Sequence, residues 1–396
     1  MDPLTHGLLG AVAARAVLGP RLGHAGWMAG AAAGMLPDAD FFIRSDADPL
    51  LNIEVHRQFT HSLAAIPVGG ALAALPWLAF RKFRVEWRAV LTASLVGYAT
   101  HGVLDACTTY GTHLLWPFSP ARESWNLMTT IGPLFTLFLL LGLVFAALRR
   151  SRAPAIAALM LCLAYVGAAG WQREKAEAAL ERIARGRGHA IDRAEIFPTV
   201  GNPLVWRTLY RSGDTLHADR VRIPFSGEAQ WKQGARMAQI GEGDLSPAER
   251  ADPRVRRDFH RFRYFSAGWV ARAPRDPSVI ADARYPLDTV AFEPIWGVRF
   301  KPAQPVPTEW VARDRERRIP LGELWREISG NDKRYRPLPF APLEVARYGP
   351  SPPKPHPARR PTAADFSQPH LPVDSMSKVL ASNSRQRQPV SGRDLI

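Results

Sequence analysis

The chain has 396 residues, a hydrophobic share of 46%, a formal net charge of +15 and only two cysteines. That length predicts two folded regions rather than one small domain, and Cys107 and Cys162, each inside an apolar run, exclude both a disulfide scaffold and a thiolate metal site. The charge is unevenly placed: residues 1–171 carry 12 Lys and Arg against 9 Asp and Glu, and the remainder carries 39 against 27. Those arginines are scattered among apolar and Pro-rich positions, so no nucleic-acid partner is expected.

In chain order, the opening Met1, Asp2, Pro3 lacks the positive region of a cleaved secretory signal. Residues 7–18 and 25–36 are rich in Gly and Ala and are broken at Gly19, Pro20 and Arg21, which predicts a tight helical hairpin that enters a membrane. Four longer apolar stretches follow at residues 63–80, 89–107, 131–148 and 154–171, each close to the roughly 20 residues that a bilayer core demands. The expected fold is therefore an α-helical polytopic membrane domain of about six membrane-inserted helices over residues 1–171. Basic residues set its orientation, because Arg and Lys in short loops stay cytoplasmic. Arg15 with Arg21, Arg81 to Arg88, and Arg149 to Arg152 fall on one side if the helices alternate, which places residues 37–62, 108–130 and everything after Trp171 on the other. In a bacterial inner membrane that side is the periplasm.

Residues 174–187 read as a charged helix leaving the membrane, and 205–210, 216–223, 262–270 and 295–300 as strands. A small β-rich soluble domain is expected over 172–345, followed by a disordered Pro-, Ser- and Arg-rich tail over 346–396.

The chemistry concentrates in the first region. His101 and Asp105 are four apart and so share one helical face, and burying them in a membrane helix is costly unless they are paired or ligate a metal. His6, Asp38, Asp40, His56 and His61 fall at the same expected membrane face. Four His and three Asp at one level form a nitrogen and oxygen ligand set for Zn²⁺, with two or more ions possible and Mn²⁺ or Fe as alternatives. Thr5, Thr60 and Thr100 each precede a candidate His and could orient it. Glu54 and Glu123 are the nearest spare carboxylates for a general base. The competing readings are a non-catalytic metal-binding or structural membrane protein, in which His–Asp pairs pin helices, and a metal transporter. Transport needs ligands along a path through the bilayer, whereas these gather at one end.

Thr5-His6, the Leu36–Asp40 turn, the segment from His56 to Phe59-Thr60-His61-Ser62, the His101–Asp105 pair and Leu115–Ser119 occur in that order. Together they resemble the YdjM-type membrane-bound metal-dependent hydrolases over roughly the first 150 residues. That family is in turn distantly similar to the zinc-dependent phospholipase C and P1 nuclease group, which implies phosphoesterase chemistry by analogy only. The resemblance implies a hydrolase whose partners are membrane lipid and a small-molecule or lipid-like substrate. Two departures stand out: Gly132 precedes Pro133 where long members carry an acidic residue, and Met1 stands where the phospholipase group has a ligating Trp.

Overall fold

The computed structural model describes residues 1–287, 291–313 and 321–339. The expected 346–396 tail lies outside the described residues. The first region is helical: α1 (Pro3–Leu18), α2 (His24–Met35), a 3-10 turn at Leu36–Phe42, α3 (Leu51–Val55), a second turn at Phe59–His61, α4 (Ile66–Leu78), α5 (Arg81–Val85), α6 (Trp87–Ala106), α7 (Pro133–Leu148) and α8 (Ala153–Gly186). Asp2 caps α1 by accepting from the Thr5 amide at 3.0 Å, with Pro3 in the first turn, where its missing N–H costs nothing. Gly19, at φ 61°, ends that helix by returning its N–H to the Arg15 carbonyl.

Six membrane-inserted helices are not what forms. Among the described residues one helix, Ala153–Gly186, is long and apolar enough to cross a membrane, or two if the pair Leu51–His61 and Leu63–Leu78, bent by 59°, counts as one broken span. The apolar runs are cut short by local chemistry. Ser62 caps a 3-10 turn and leaves α4 with 13 residues, while Pro133 starts α7 late and leaves it 16. The hairpin helices have 16 and 12 residues. α6 has 20, but it carries Arg88, Ser94, His101 and Asp105 and buries much of its surface against α1, α2 and α4. Counting apolar residues along the chain thus overestimated spans, because an apolar run can face neighbouring helices instead of lipid.

α8 runs for 34 residues, about 50 Å of helix. Its first part leaves Met160, Leu161 and Leu163 exposed. Its second part turns Ala176, Leu180 and Ile183 into a core with Ile196, Trp206, Tyr210 and Val221, so the expected membrane exit helix and the preceding stretch form one rod. Gln172 fixes the change of environment by donating to the Ile223 carbonyl at 2.7 Å.

The β-rich domain contains two antiparallel sheets. β1 (Arg193–Thr199), β2 (Asn202–Ser212), β3 (Thr215–Arg222) and β4 (Gln230–Lys232) run in sequence order across the first. β5 (Arg236–Ala238) also pairs with β3. After α9 (Pro247–Ala251) and α10 (Pro253–Phe265) comes the second sheet, with β6 (Val270–Arg272), β7 (Val279–Asp282), β8 (Trp296–Phe300) and β9 (Thr308–Ala312) in order. α11 (Leu321–Ser329) leads to β10 (Arg336–Pro337), which returns to pair with β4. Residues 205–210, 216–223 and 295–300 are strands as expected, but 262–265 close a helix. There Val255, Phe259 and Phe262 recur at helical spacing, and Asp252 caps the start. Leu50 and Ile53 of the first region are buried in the same core as Phe259, Phe262, Val270 and Val298, so the two regions share apolar packing rather than only a linker.

Candidate metal centre

The site is built where α6 ends against α1, α2 and the segment between α2 and α4. Close approach is bought with glycine: a Cβ on Gly102 would lie 2.0 Å from the His61 carbonyl oxygen, and one on Gly34 would lie 2.7 Å from the His6 carbonyl oxygen. These contacts let the His61 turn seat directly on α6 beside His101, and α2 on α1 beside His6.

Four ligand atoms converge. His61 Nε2 and His101 Nε2 are 2.9 Å apart. Asp38 Oδ1 lies 3.5 Å from the first and 3.4 Å from the second. Asp105 Oδ2 lies 3.3 Å and 3.6 Å from them. Four donors held about 2.0–2.1 Å from a tetrahedral ion stand about 3.3–3.4 Å from one another, so these separations fit a single small cation.

The outward-facing atoms of the two imidazoles are already committed. His101 Nδ1 donates to the Gly34 carbonyl at 2.6 Å. His61 Nδ1 faces Asp40 Oδ2 at 3.2 Å and Thr60 Oγ1 at 2.9 Å. A histidine tied through Nδ1 to a carbonyl or carboxylate presents an Nε2 lone pair, the arrangement usual for a ligating imidazole. Two such lone pairs at 2.9 Å repel unless a cation lies between them. Asp105 Oδ2, fully buried, has no hydrogen-bond donor of its own and lies 3.1 Å from Arg57 Nε. Its other oxygen accepts from His6 Nε2 at 3.1 Å and from the Met1 amine.

All seven His and Asp residues singled out in the sequence are thus neighbours, but they occupy distinct layers. Asp38, His61, His101 and Asp105 form one group, and Asp40, His56 and His61 form a second whose ligand atoms also lie within 4.8 Å of one another. His6 belongs to neither group; it stacks on His101 with ring centroids 3.6 Å apart and bonds Asp105. Asp40 is a hub, taking His56 Nδ1 at 2.6 Å, the Arg57 amide at 3.2 Å and the Thr60 hydroxyl. Burial raises the Asp38 and Asp40 carboxyl pKa values, but the adjoining imidazoles, His101 and His61 at Asp38 and His56 and His61 at Asp40, outweigh it and hold both below the usual carboxylate range.

The other candidates lie elsewhere. Glu54 gives both carboxylate oxygens to Arg261, each at 2.6 Å. The Glu123 backbone bridges Thr112. Of the three threonines, Thr60 orients a site residue, Thr5 bonds Asp2 and neighbours Thr136, and Thr100 bonds the Gly97 carbonyl. Sequence reasoning missed Arg57, which adds a bond from Nη1 to Thr108 at 2.9 Å, and Tyr98, which holds the Thr60 carbonyl at 2.7 Å. Arg57 adjoins His56 in the sequence and offered a signal; Tyr98, three residues before His101, offered one only once α6 was placed.

Fold and site together define a helical domain that encloses a cluster of His and Asp able to hold a metal ion, followed by a β-rich domain. Residues 1–176 match the family model described as YdjM inner membrane protein. The match ends inside α8 and leaves the β-rich domain outside it. No curated protein and no solved structure matches the chain.

Proposed function

We propose that this protein is a membrane-bound metal-dependent hydrolase whose centre is formed by Asp38, His61, His101 and Asp105. The observation that carries the reading is the pair of Nε2 atoms 2.9 Å apart, each on an imidazole tied through Nδ1, facing two carboxylates. The mixed nitrogen and oxygen set suits Zn²⁺ first and Mn²⁺ or Fe second. Asp40, Thr60 and His56 orient His61, and His6 and Arg57 hold Asp105.

A metal bound here supplies Lewis acidity and brings the pKa of a coordinated water toward about 7. The chain's own groups decide where a substrate meets it. Asp38 and His56 keep side-chain exposures of 20% and 13%, whereas His6, His61, His101 and Asp105 have none, so the approach is from the Asp38 and His56 rim. Arg57 is buried against Asp105, so attraction for an anionic group at that rim would come from the bound cation itself, in keeping with a phosphoester or lipid-like substrate. Arg149, Arg150 and Arg152 at the start of α8 favour a cytoplasmic beginning and a periplasmic end for this helix, which puts the β-rich domain in the periplasm.

The second reading is a structural one, in which a single proton rather than a metal is shared by His61 and His101, and the same 2.9 Å distance favours it. Elemental analysis of the full chain purified in detergent without chelator, beside His101→Ala, separates them. The expected result is bound zinc, manganese or iron in the wild type only, with chelator-sensitive hydrolysis of phosphodiester or phospholipid substrates. Wild-type protein that binds no more metal than His101→Ala, even when Zn²⁺ or Mn²⁺ is supplied, overturns the metal centre and the hydrolase together.

A further inference from the structure

We infer that Arg261, in the β-rich domain, is a positioning residue for the metal centre: it fastens the loop that delivers His56, Arg57 and His61. The inference rests on the metal-centre reading above and adds a second region to it.

The loop between Phe42 and Phe59 has little regular structure of its own, and α3 is only five residues long. A helix that short does not stand without tertiary contacts. Arg261 supplies them. Its Nε and Nη2 bond the two Glu54 oxygens, each at 2.6 Å, and its Nη1 and Nη2 bond the two Asp48 oxygens at 2.9 and 2.8 Å. A fifth bond, from Nη1 to Asp258 at 3.0 Å, fixes the guanidinium to its own helix, and Asp258 in turn accepts from Thr308 of β9 at 2.6 Å. The side chain is 7% exposed. Two carboxylate forks on one guanidinium define direction as well as distance. Between the two acidic residues, Leu50 and Ile53 enter the core of α10 and the second sheet.

The centre follows immediately. His56, two residues beyond Glu54, bonds Asp40, and Arg57 lies on Asp105. Arg57 also holds positive φ, at 68°, and its carbonyl is held by the His113 amide at 2.9 Å. A shift of α3 therefore reaches Asp40, His61 and Asp105 through bonded neighbours rather than through a flexible tether.

The test is zinc affinity of the full chain in detergent, measured by competition with a chromophoric chelator, for wild type, Arg261→Ala, Arg261→Lys, the double variant Asp48→Asn/Glu54→Gln, and Arg263→Ala as an exposed control on the same helix. Outer-layer changes around a metal typically cost about 10–100-fold in affinity. Arg261→Ala and the double variant are expected to weaken zinc binding about 10-fold, with far-UV circular dichroism retained and Arg263→Ala unchanged. Arg261→Lys is expected to recover part of the loss, because one ammonium keeps the charge and loses the forks. Either weakened variant, if folded, binding zinc as tightly as wild type overturns the inference. Should Arg261→Ala not fold, the double variant, which leaves α10 untouched, decides. A wild type that binds no zinc is a different result, and overturns the metal-centre reading itself.

Discussion

Gly102→Ala tests the centre without touching a ligand. The added Cβ would lie 2.0 Å from the His61 carbonyl oxygen and 3.1 Å from its carbonyl carbon. A carbon and a carbonyl oxygen need about 3.3 Å, so the His61 turn must retreat by about 1.3 Å or α6 must move by as much. Either way His61 Nε2 leaves its 2.9 Å neighbour on His101. Overpacking of this kind costs about 1–3 kcal/mol, partly offset by the roughly 0.5–1 kcal/mol that alanine gains over glycine in a helix. The net loss of stability is therefore modest, about 0–2.5 kcal/mol. Metal affinity should suffer more, by about 10–100-fold, because ligand separation is disturbed directly. Gly167→Ala on α8, where an added Cβ meets nothing within 4 Å, is the control for helix propensity alone. Zinc titration and thermal melts with and without chelator report the two quantities separately. If Gly102→Ala melts lower yet binds zinc with wild-type affinity, the close seating of His61 on α6 is packing and not part of a metal site.

Three further outcomes follow from the geometry. Asp40→Asn removes the charge and turns one of the two oxygens that receive His56, Thr60 and His61 into an amide donor, and should lower zinc affinity about 10-fold or more; isothermal titration with unchanged affinity would count against an orienting role. Glu327→Ala should cost about 3–5 kcal/mol in denaturant unfolding, because it strands the buried Arg220, while Lys232 keeps Asp332 at 3.6 Å, and it should leave metal content unchanged. His217 is pulled down to about 4 by burial and by the neighbouring His189 and Arg187. Its folded pKa is thus below the unfolded value of about 6.5, so its contribution is complete above pH 6.5 and is lost as pH falls toward 4. Unfolding midpoints at pH 7 and 4.5 should differ less in His217→Asn than in wild type, and an equal or larger difference would refute the assignment.

What was legible in the sequence was mostly chemistry, and what was not was mostly contact. His101 and Asp105 announced themselves because a four-residue spacing on an apolar helix is costly to leave unused, and three of the β-strands announced themselves as strand-like runs with Gly, Asp or Pro between several of them. The membrane count failed because hydropathy cannot distinguish a residue that faces lipid from one that faces another helix; α6 meets Gly30 of α2 so closely that a Cβ on Gly97 would stand 2.2 Å from the Gly30 carbonyl oxygen. The strand expected at 262–270 failed for a related reason. Phe262 and Phe265 are aromatic and buried, which favours either element, and only the earlier Val255 and Phe259 reveal the helical period.

Arg261 and its partners are the clearest case of something no local pattern carries. Arg261 lies more than 200 residues beyond Asp48 and Glu54, and each alone is an ordinary charged residue on a loop or a basic helix. Their meaning comes from burial. A guanidinium on the surface would contribute little through such pairs, but one that is 7% exposed and satisfied by two carboxylate forks holds its partners in one arrangement. The same loop also forms the rim at which Asp38 and His56 remain accessible. The α10 helix therefore grips the segment that both supplies the centre and borders its approach, so whatever displaces α10 must alter the centre's geometry and its access together.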